Sequence, residues 1–543
     1  MGNAPSARRL RRVIALVTAA GLSGTLVTPP AADASPHRPS APPQVAGLGL
    51  DELRVLLKHR RLTSVQLVRE YLRRIEAYDH AYGDQPGLSA VIAVNQRAQA
   101  EAARLDAERR AGRIRGPLHG IPIVVKDNFD TADMPTTSGS VALRDLRPRD
   151  DAEQVRRLRA AGAIVLAKTN MHEFAMNIYT ISSLGGQTRN PYDQTRHPGG
   201  SSGGTGAAVG AGFAPAGMGT DTCGSIRIPA AHNNLVGLRP TLGLSSRDGV
   251  APLAGTQDTA GPLATSVRDV ALILDATVGH DPKDPVTRES IGRIPRSYLP
   301  ALRGNALRGK RIGIFTDYFG ASAEEQPTTD LVRAAADDMV RQGARTVELG
   351  PQPELLAAAA GANRVRDEFE RDLNAYLAAA RGRPSELAGL EPPYDEITLA
   401  DIATSGQVTP TVLSTLKAWV GSPALPNDAY DEKLRQRGIL QDGLKALMRD
   451  HDLDALLYPS ITRPATTVGT TQPYANCRLA GYSGFPALSV PAGFTADGLP
   501  VGVELLGLPY SEPGLLGMGH AYEQATGHRR LPAGTPPLPA ETR

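Results

Sequence analysis

The sequence predicts an α/β fold, and three observations carry that reading. Short apolar runs that look like buried strands recur at 118–126, 163–167, 312–315 and 455–458. Between them stand longer stretches with apolar residues at helical spacing. Interleaving of this kind lays helices against a sheet. Hydrophobic residues make up 41% of the 543 and charged residues 21%, an ordinary globular balance with material for a large core. Length alone allows about two to four domains.

The elements follow in order. From Gly49, Leu50, Leu53, Leu56 and Leu57 recur at helical spacing. Thr63-Ser64 caps a helix over 65–78, with Val65, Val68, Leu72 and Ile75 on one face. Another helix is expected over about 96–110. The run 118–128 holds Ile121, Ile123, Val124 and Val125 and reads as a buried strand ending at Lys126. A helix over 150–161 leads to a strand over 163–167, which places Lys168 at a second strand end. Helices are expected at 267–277 and 330–342, and strands at 312–315 and 346–349. The segment 304–311 nearly spells a phosphate-binding loop. Arg311 stands where Ser or Thr should hold the metal, however, and a strand follows where the motif needs a helix. The region 353–447 is alanine-rich and mostly helical, without a motif. A strand at 455–458, a strand with its turn at 498–506 and a helix at 515–525 close the chain.

The N-terminus reads as a secretory signal. Arg8, Arg9, Arg11 and Arg12 precede a mildly apolar run, and Ala32-Asp33-Ala34 offers a small-x-small cleavage site, giving a signal peptide over 1–34. The paired arginines admit the twin-arginine route. The apolar run is shorter than the ~20 residues a membrane span needs, and no later run is long enough to span one. A secreted protein without stable membrane association is therefore expected after cleavage. Residues 35–48 read as a flexible leader. A net charge of +3 with 4% aromatic residues and no basic block points away from nucleic acid. The two cysteines are Cys223 and Cys477, and export raises the prior for a disulfide between such a pair.

The stretch 196–230 stands apart. It holds two glycine-dense patches, Gly199-Gly200-Ser201-Ser202-Gly203-Gly204 and Gly219-Thr220-Asp221-Thr222-Cys223-Gly224-Ser225-Ile226-Arg227. Such density marks tight backbone geometry or close approach to a ligand. Serines inside it are candidate nucleophiles, with neighbouring N–H groups able to bind an oxyanion. Upstream lies Gly120-Ile121-Pro122-Ile123-Val124-Val125-Lys126-Asp127-Asn128. In these three segments, their order and their spacing, the chain resembles the amidase-signature hydrolases, and the likeness runs from about Leu50 to about Pro532. A later segment, from Tyr482 to Pro491, is similar to a fourth stretch of that pattern. The resemblance implies one catalytic domain over 49–543, with a mixed, mostly parallel central sheet between helical layers.

It also implies a Ser–Ser–Lys triad. Ser225 would be the nucleophile and Lys126 the base. Ser201, following a cis bond from Gly200, would relay protons between them and to the leaving nitrogen. The oxyanion hole would be the N–H groups of Thr222, Cys223, Gly224 and Ser225. Asp221 and Arg227 would brace the loop as an ion pair, and Ser202 would hydrogen-bond within the site. The lysine must be neutral to act, whereas at its usual pKa of ~10.4 only about one in a few thousand is neutral at pH 7. Burial can lower that pKa by ~3 units or more. Lys126 is thus expected to be buried with no carboxylate in contact, and Lys168 to be structural. Cys223 departs from the family's glycine. Because the family places the Cys477 segment near substrate, a Cys223–Cys477 disulfide lining the pocket is implied, with a Cys223 thiol nucleophile as the alternative. None of the 11 histidines has a metal-ligand spacing, so neither metal nor cofactor is expected, and His119 and His232 read as packed or surface imidazoles.

The expected reaction is hydrolysis of a small-molecule or peptide amide to an acid plus ammonia or an amine. Three rivals stand beside it, one of them a catalytically dead binding protein on this fold, against which the presence of Lys126, Ser201 and Ser225 argues. Gly199–Gly203 spells the G-x-S-x-G of an α/β-hydrolase esterase, but Asn190-Pro191 and His197-Pro198 occupy the place of the strand that motif needs. The glutamine-amidotransferase member of the same family carries an aspartate for glutamine where this chain has Tyr474, and an export signal argues against an intracellular partner.

Overall fold

Residues 44–380, 397–473 and 475–539 are described by the computed structural model of the chain. The expected signal peptide, residues 35–43 of the leader, the segment 381–396 and Tyr474 lie outside them. The last leader residues are not loose: Val45 and Ala46 are buried, and Val45 belongs to the main core. The packed body therefore begins by Val45 rather than at Gly49.

Local sequence sets the early helices. Thr63 Oγ1 accepts from the Gln66 N–H (3.1 Å) and Gln66 Oε1 accepts from the Thr63 N–H (2.9 Å), a reciprocal cap that starts the helix Ser64–Tyr78. Buried Leu67, Val68, Tyr71 and Ile75 then form its inner face. Each fully buried side chain of this kind contributes roughly 1.5–3 kcal/mol.

The strands are β1 Val91–Val94, β2 Pro122–Lys126, β3 Ile164–Thr169, β4 Ile181–Ser182, β5 Gly186–Gln187, β6 Ala216–Asp221, β7 Val236–Arg239, β8 Thr259–Ala264, β9 Arg311–Phe315, β10 Arg345–Leu349, β11 Ala455–Pro459, β12 Ala487–Phe494 and β13 Pro500–Leu506. β4 and β5 make a small ribbon, and the others form one 11-stranded sheet in the order β1-β3-β2-β6-β8-β7-β12-β13-β11-β9-β10. The sheet is mixed. Its parallel pairings fall in two blocks, β3-β2-β6 and β11-β9-β10, and the strands between them pair antiparallel. The strand at Arg311–Phe315 removes the phosphate-loop reading of 304–311, because no helix follows that turn. Helices Val267–Thr277, Gln326–Arg341 and Glu512–Thr526 pack against the sheet. Among the described residues no helix is long and apolar enough to cross a membrane.

Two neighbouring parallel strands position the site. β2 and β6 run together, with Val124 opposite Gly217 and Val125 opposite Met218. Lys126 and Thr220-Asp221 thus emerge at the carboxyl ends of adjacent strands, where α/β sheets usually place their ligands. The helix Gly203–Gly210, buried throughout, packs on these strands. Its tight approach needs glycine: a Cβ on Gly204 would lie 2.2 Å from the Asn170 carbonyl oxygen.

Candidate active site

Lys126 is fully buried at the end of β2. Its Nζ lies 2.8 Å from Ser201 Oγ and 2.6 Å from Thr220 Oγ1. Among the described residues no carboxylate comes within ion-pair reach of it. Burial lowers its pKa to about 7, against the opposing pull of Asp258 and Asp221. A buried amine of this kind, beside a hydroxyl, can take a proton at neutral pH. Thr220 also accepts from Asn128 Nδ2 (3.1 Å), which fixes its hydroxyl toward the lysine.

The two serine segments meet through the backbone. The Gly200–Ser201 peptide is cis. The Ser202 N–H donates to the Ser225 carbonyl (3.2 Å), and the Ser201 carbonyl accepts from the His172 N–H (3.0 Å). Thr180 pins the first patch, donating to the Gly199 carbonyl (2.7 Å) and accepting from the Gly203 N–H (3.1 Å). Ser202 Oγ donates to the Thr220 carbonyl (3.2 Å) and accepts from its N–H (3.3 Å), tying this patch to the end of β6. The Ser225 side chain makes no hydrogen bond to a described residue. It lines a cavity of about 220 Å³ together with Thr222, Cys223 and Tyr482. A second cavity, about 630 Å³, is lined by Thr220 and Asn128 and shares Ala175, Thr222 and Leu253 with the first.

The loop 222–225 alters one expectation. The Gly224 N–H donates to Asp221 Oδ1 (2.8 Å), which removes Gly224 from the candidate oxyanion donors. The N–H groups of Thr222, Cys223 and Ser225 make no hydrogen bond to a described residue and stay available. The Thr222 hydroxyl is bonded to Asp258, whose carboxylate also accepts from the Leu253 and Ala254 N–H groups (2.8 and 2.9 Å).

Cys223 and Cys477 form a disulfide across 254 residues of sequence. The bond occupies the Cys223 sulfur, so that thiol is not a free nucleophile. It also ties the loop beside Ser225 to the segment that begins the helix Arg478–Ser483. A Cβ on Gly481 of that helix would sit 2.8 Å from the Thr222 carbonyl oxygen, so the two segments are in close contact. Denatured protein without reductant is expected to show no free thiol. Reduction should cost about 2–4 kcal/mol in urea unfolding.

A buried charge network supports the loop from below. Asp221, Arg227, Arg239 and Glu504 are all inaccessible to solvent. Asp221 pairs with Arg227 Nε (3.1 Å) and Arg239 Nη1 (2.8 Å) and also accepts from the Ile226 N–H (3.1 Å). Burial works against its charge, but the two guanidinium groups outweigh it and hold the carboxyl well below the usual range. Arg227 reaches on to Glu504, which accepts from the Tyr458 hydroxyl (2.8 Å). Asp221→Asn would leave two buried arginines short of counter-charge. It is expected to lower the unfolding free energy by about 3–5 kcal/mol, read from denaturant melts.

Lys168 is also fully buried but lies in a different setting. It pairs with Asp127 (3.1 Å) and donates to the Pro135 carbonyl and Thr136 Oγ1 (2.9 and 2.8 Å). His119 Nε2 meets the Leu105 carbonyl (2.9 Å), and His232 Nε2 meets the Arg463 carbonyl (3.4 Å); both rings are buried. Among the described residues no group of three or more His, Cys, Asp or Glu side chains could hold a metal ion. Thr220, Asn128, Thr180, Asp258, Arg239 and Glu504 join the site from the structure alone. Thr220 and Asn128 lie inside the sequence motifs, whereas Arg239 and Glu504 are visible in sequence only as charges within apolar strand runs.

Known proteins share this arrangement's sequence and fold. The Amidase family model matches residues 66–516. The glutamyl-tRNA(Gln) amidotransferase A chain of Rhodopirellula baltica is 35% identical over 499 residues, covering 87% of this chain and 95% of that protein. The native peptide amidase of Stenotrophomonas maltophilia superposes with a TM-score of 0.79 at 39% identity, covering 89% of this chain and 98% of that one. A bacterial aryl acylamidase of the amidase-signature enzymes does so with a TM-score of 0.73 at 26% identity, covering 89% and 97%. With the family's sequence pattern spanning most of its length and its fold recovered at this similarity, the chain belongs to the amidase family, whose enzymes carry the amidase signature.

Proposed function

We propose that the chain is a secreted amidase that hydrolyses a carboxamide through an acyl-enzyme on Ser225. Neutral Lys126 draws a proton from Ser201, which takes one from Ser225 as its oxygen attacks the carbonyl carbon. The N–H groups of Thr222, Cys223 and Ser225 receive the oxyanion. The proton returns through Ser201 to the leaving nitrogen, and water then releases the acid by the same relay. The observation that carries this reading is Lys126 itself, buried among hydroxyls with no described carboxylate in contact. Peptide amides are a natural first substrate class, given the similarity to peptide amidase. Export is supported by the N-terminal sequence pattern and fits a disulfide, which persists in oxidising compartments.

A second reading is favoured by the relatives that are glutamyl-tRNA(Gln) amidotransferase chains. On that reading the same site releases ammonia from glutamine for transfer. One experiment separates the two. Ammonia and amine release by the mature chain is followed on peptide amides, acyl anilides, aliphatic amides and glutamine, with Ser225→Ala as the blank. Turnover of peptide amides by the isolated chain supports the secreted amidase. Release from glutamine alone supports the amidotransferase reading.

A further inference from the structure

The cavity over Ser225 has a lopsided polar lining. Arg366 is the one charged side chain among the described residues that line it, and no Asp or Glu is present there. Arg366 is the second residue of the helix Val365–Ala380. It is exposed and pairs with no described carboxylate; a 3.5 Å contact from Nη2 to the Ala418 carbonyl is its side chain's hydrogen bond. Arg364, two residues earlier, anchors the start of this helix: its N–H donates to Gln257 Oε1 (2.7 Å) and its Nε to Thr256 Oγ1 (2.7 Å).

The two asparagines of the lining are tethered to the backbone. Asn177 Oδ1 accepts from the Ile178 N–H (2.8 Å), and Asn363 Oδ1 accepts from the Val365 N–H (3.1 Å). Each amide keeps a second lone pair on its oxygen and carries N–H donors, and neither brings a charge to the cavity. Among the described residues the cavity therefore presents one positive charge and no carboxylate to meet an ammonium group. Trp419, Leu253 and Val365 supply apolar wall beside them.

We propose that Arg366 is a specificity-determining residue, selecting amides whose acyl part carries a carboxylate and disfavouring those that carry an ammonium group. This rests on the amide-hydrolase reading above. A carboxylate on the guanidinium gains a charge-assisted hydrogen bond. An ammonium group meets like charge, with no carboxylate among the described lining residues to offset it.

The test compares ammonia release from the α-amides of N-acetyl-glutamic acid, N-acetyl-methionine and N-acetyl-lysine. The mature chain is expected to prefer the glutamic over the lysine compound by about tenfold in kcat/KM, mostly through KM. Arg366→Glu should invert that order and Arg366→Lys should keep it, each rate being taken relative to the methionine compound in the same variant. The preference should shrink as salt is raised. An unchanged order in Arg366→Glu overturns the proposal. The same glutamic and lysine amides are titrated calorimetrically onto Ser225→Ala protein, with and without Arg366→Glu. If no amide is hydrolysed and the binding order still inverts, the amidase reading falls and the role of Arg366 stands. If the binding order does not invert, the role of Arg366 falls whatever the activity.

Discussion

Ser225→Ala is expected to lower amide hydrolysis by about four to six orders of magnitude while leaving the fold intact. On the proposed route, losing the nucleophile removes the acyl-enzyme altogether, and what remains is substrate held beside donors and a base. The structure makes the stability side of this prediction sharp. The Ser225 hydroxyl bonds to no described residue, so its removal orphans no buried partner. The unfolding free energy should stay within about 0.5 kcal/mol of the parent. Substrate binding should survive as well, because the rest of the cavity wall lies on other residues. Activity is read by ammonia release, stability by denaturant melts and binding by calorimetry. A variant that loses both activity and fold would show that Ser225 is needed for structure. A variant that keeps its activity would remove Ser225 from the chemistry and leave another hydroxyl to be found beside Lys126.

How much of this is legible in the sequence depends on how local the cause is. The strand ending at Lys126 can be read because five residues, Pro122 to Lys126, are all buried and mostly β-branched. The helix from Ser64 can be read because its cap lies within four residues of sequence. β6 escapes such a reading. Its sequence, AGMGTD, has two glycines and little β propensity, and it is a strand only because β2 and β8 flank it. The glycines that hide the strand are the ones the packing requires: a Cβ on Gly217 would stand 2.5 Å from Thr205 Cγ2. The antiparallel middle of the sheet is hidden for the same reason, since pairing between distant segments leaves no mark on a single segment. At the candidate site, the motifs single out Lys126, Ser201 and Ser225 but not what holds them. Thr220 meets Lys126 from the adjacent strand, and Glu504 meets Arg227 from 277 residues away. The commitment of the Gly224 N–H to Asp221 is a matter of loop geometry that residue types do not disclose.

Lys126→Met is expected to lower kcat/KM by about two to four orders of magnitude and to erase the pH dependence that marks the base. With a pKa near 7, the parent should show a rate that climbs about tenfold per pH unit below that value and levels off above it. The variant's residual rate should be flat through the same range. Stability carries an independent signature. The folded lysine has its pKa at about 7 against an ordinary value of 10.5, so between those values the unfolded chain binds more protons than the folded one. The parent's stability should therefore rise with pH through that window, and below about 7 the cost of burying the amine is fully present. Methionine has no proton to bind. Relative to Lys126→Met, the parent should lose stability steadily as the pH falls from about 10 to about 7, whatever constant difference arises from repacking beside Ser201 and Thr220. Denaturant melts across that range measure the slope. A parallel pair of stability curves would mean that Lys126 stays charged in the folded protein. A charged amine cannot accept the Ser201 proton, so that single result would take the base away from the proposed relay even if the nucleophile were secure.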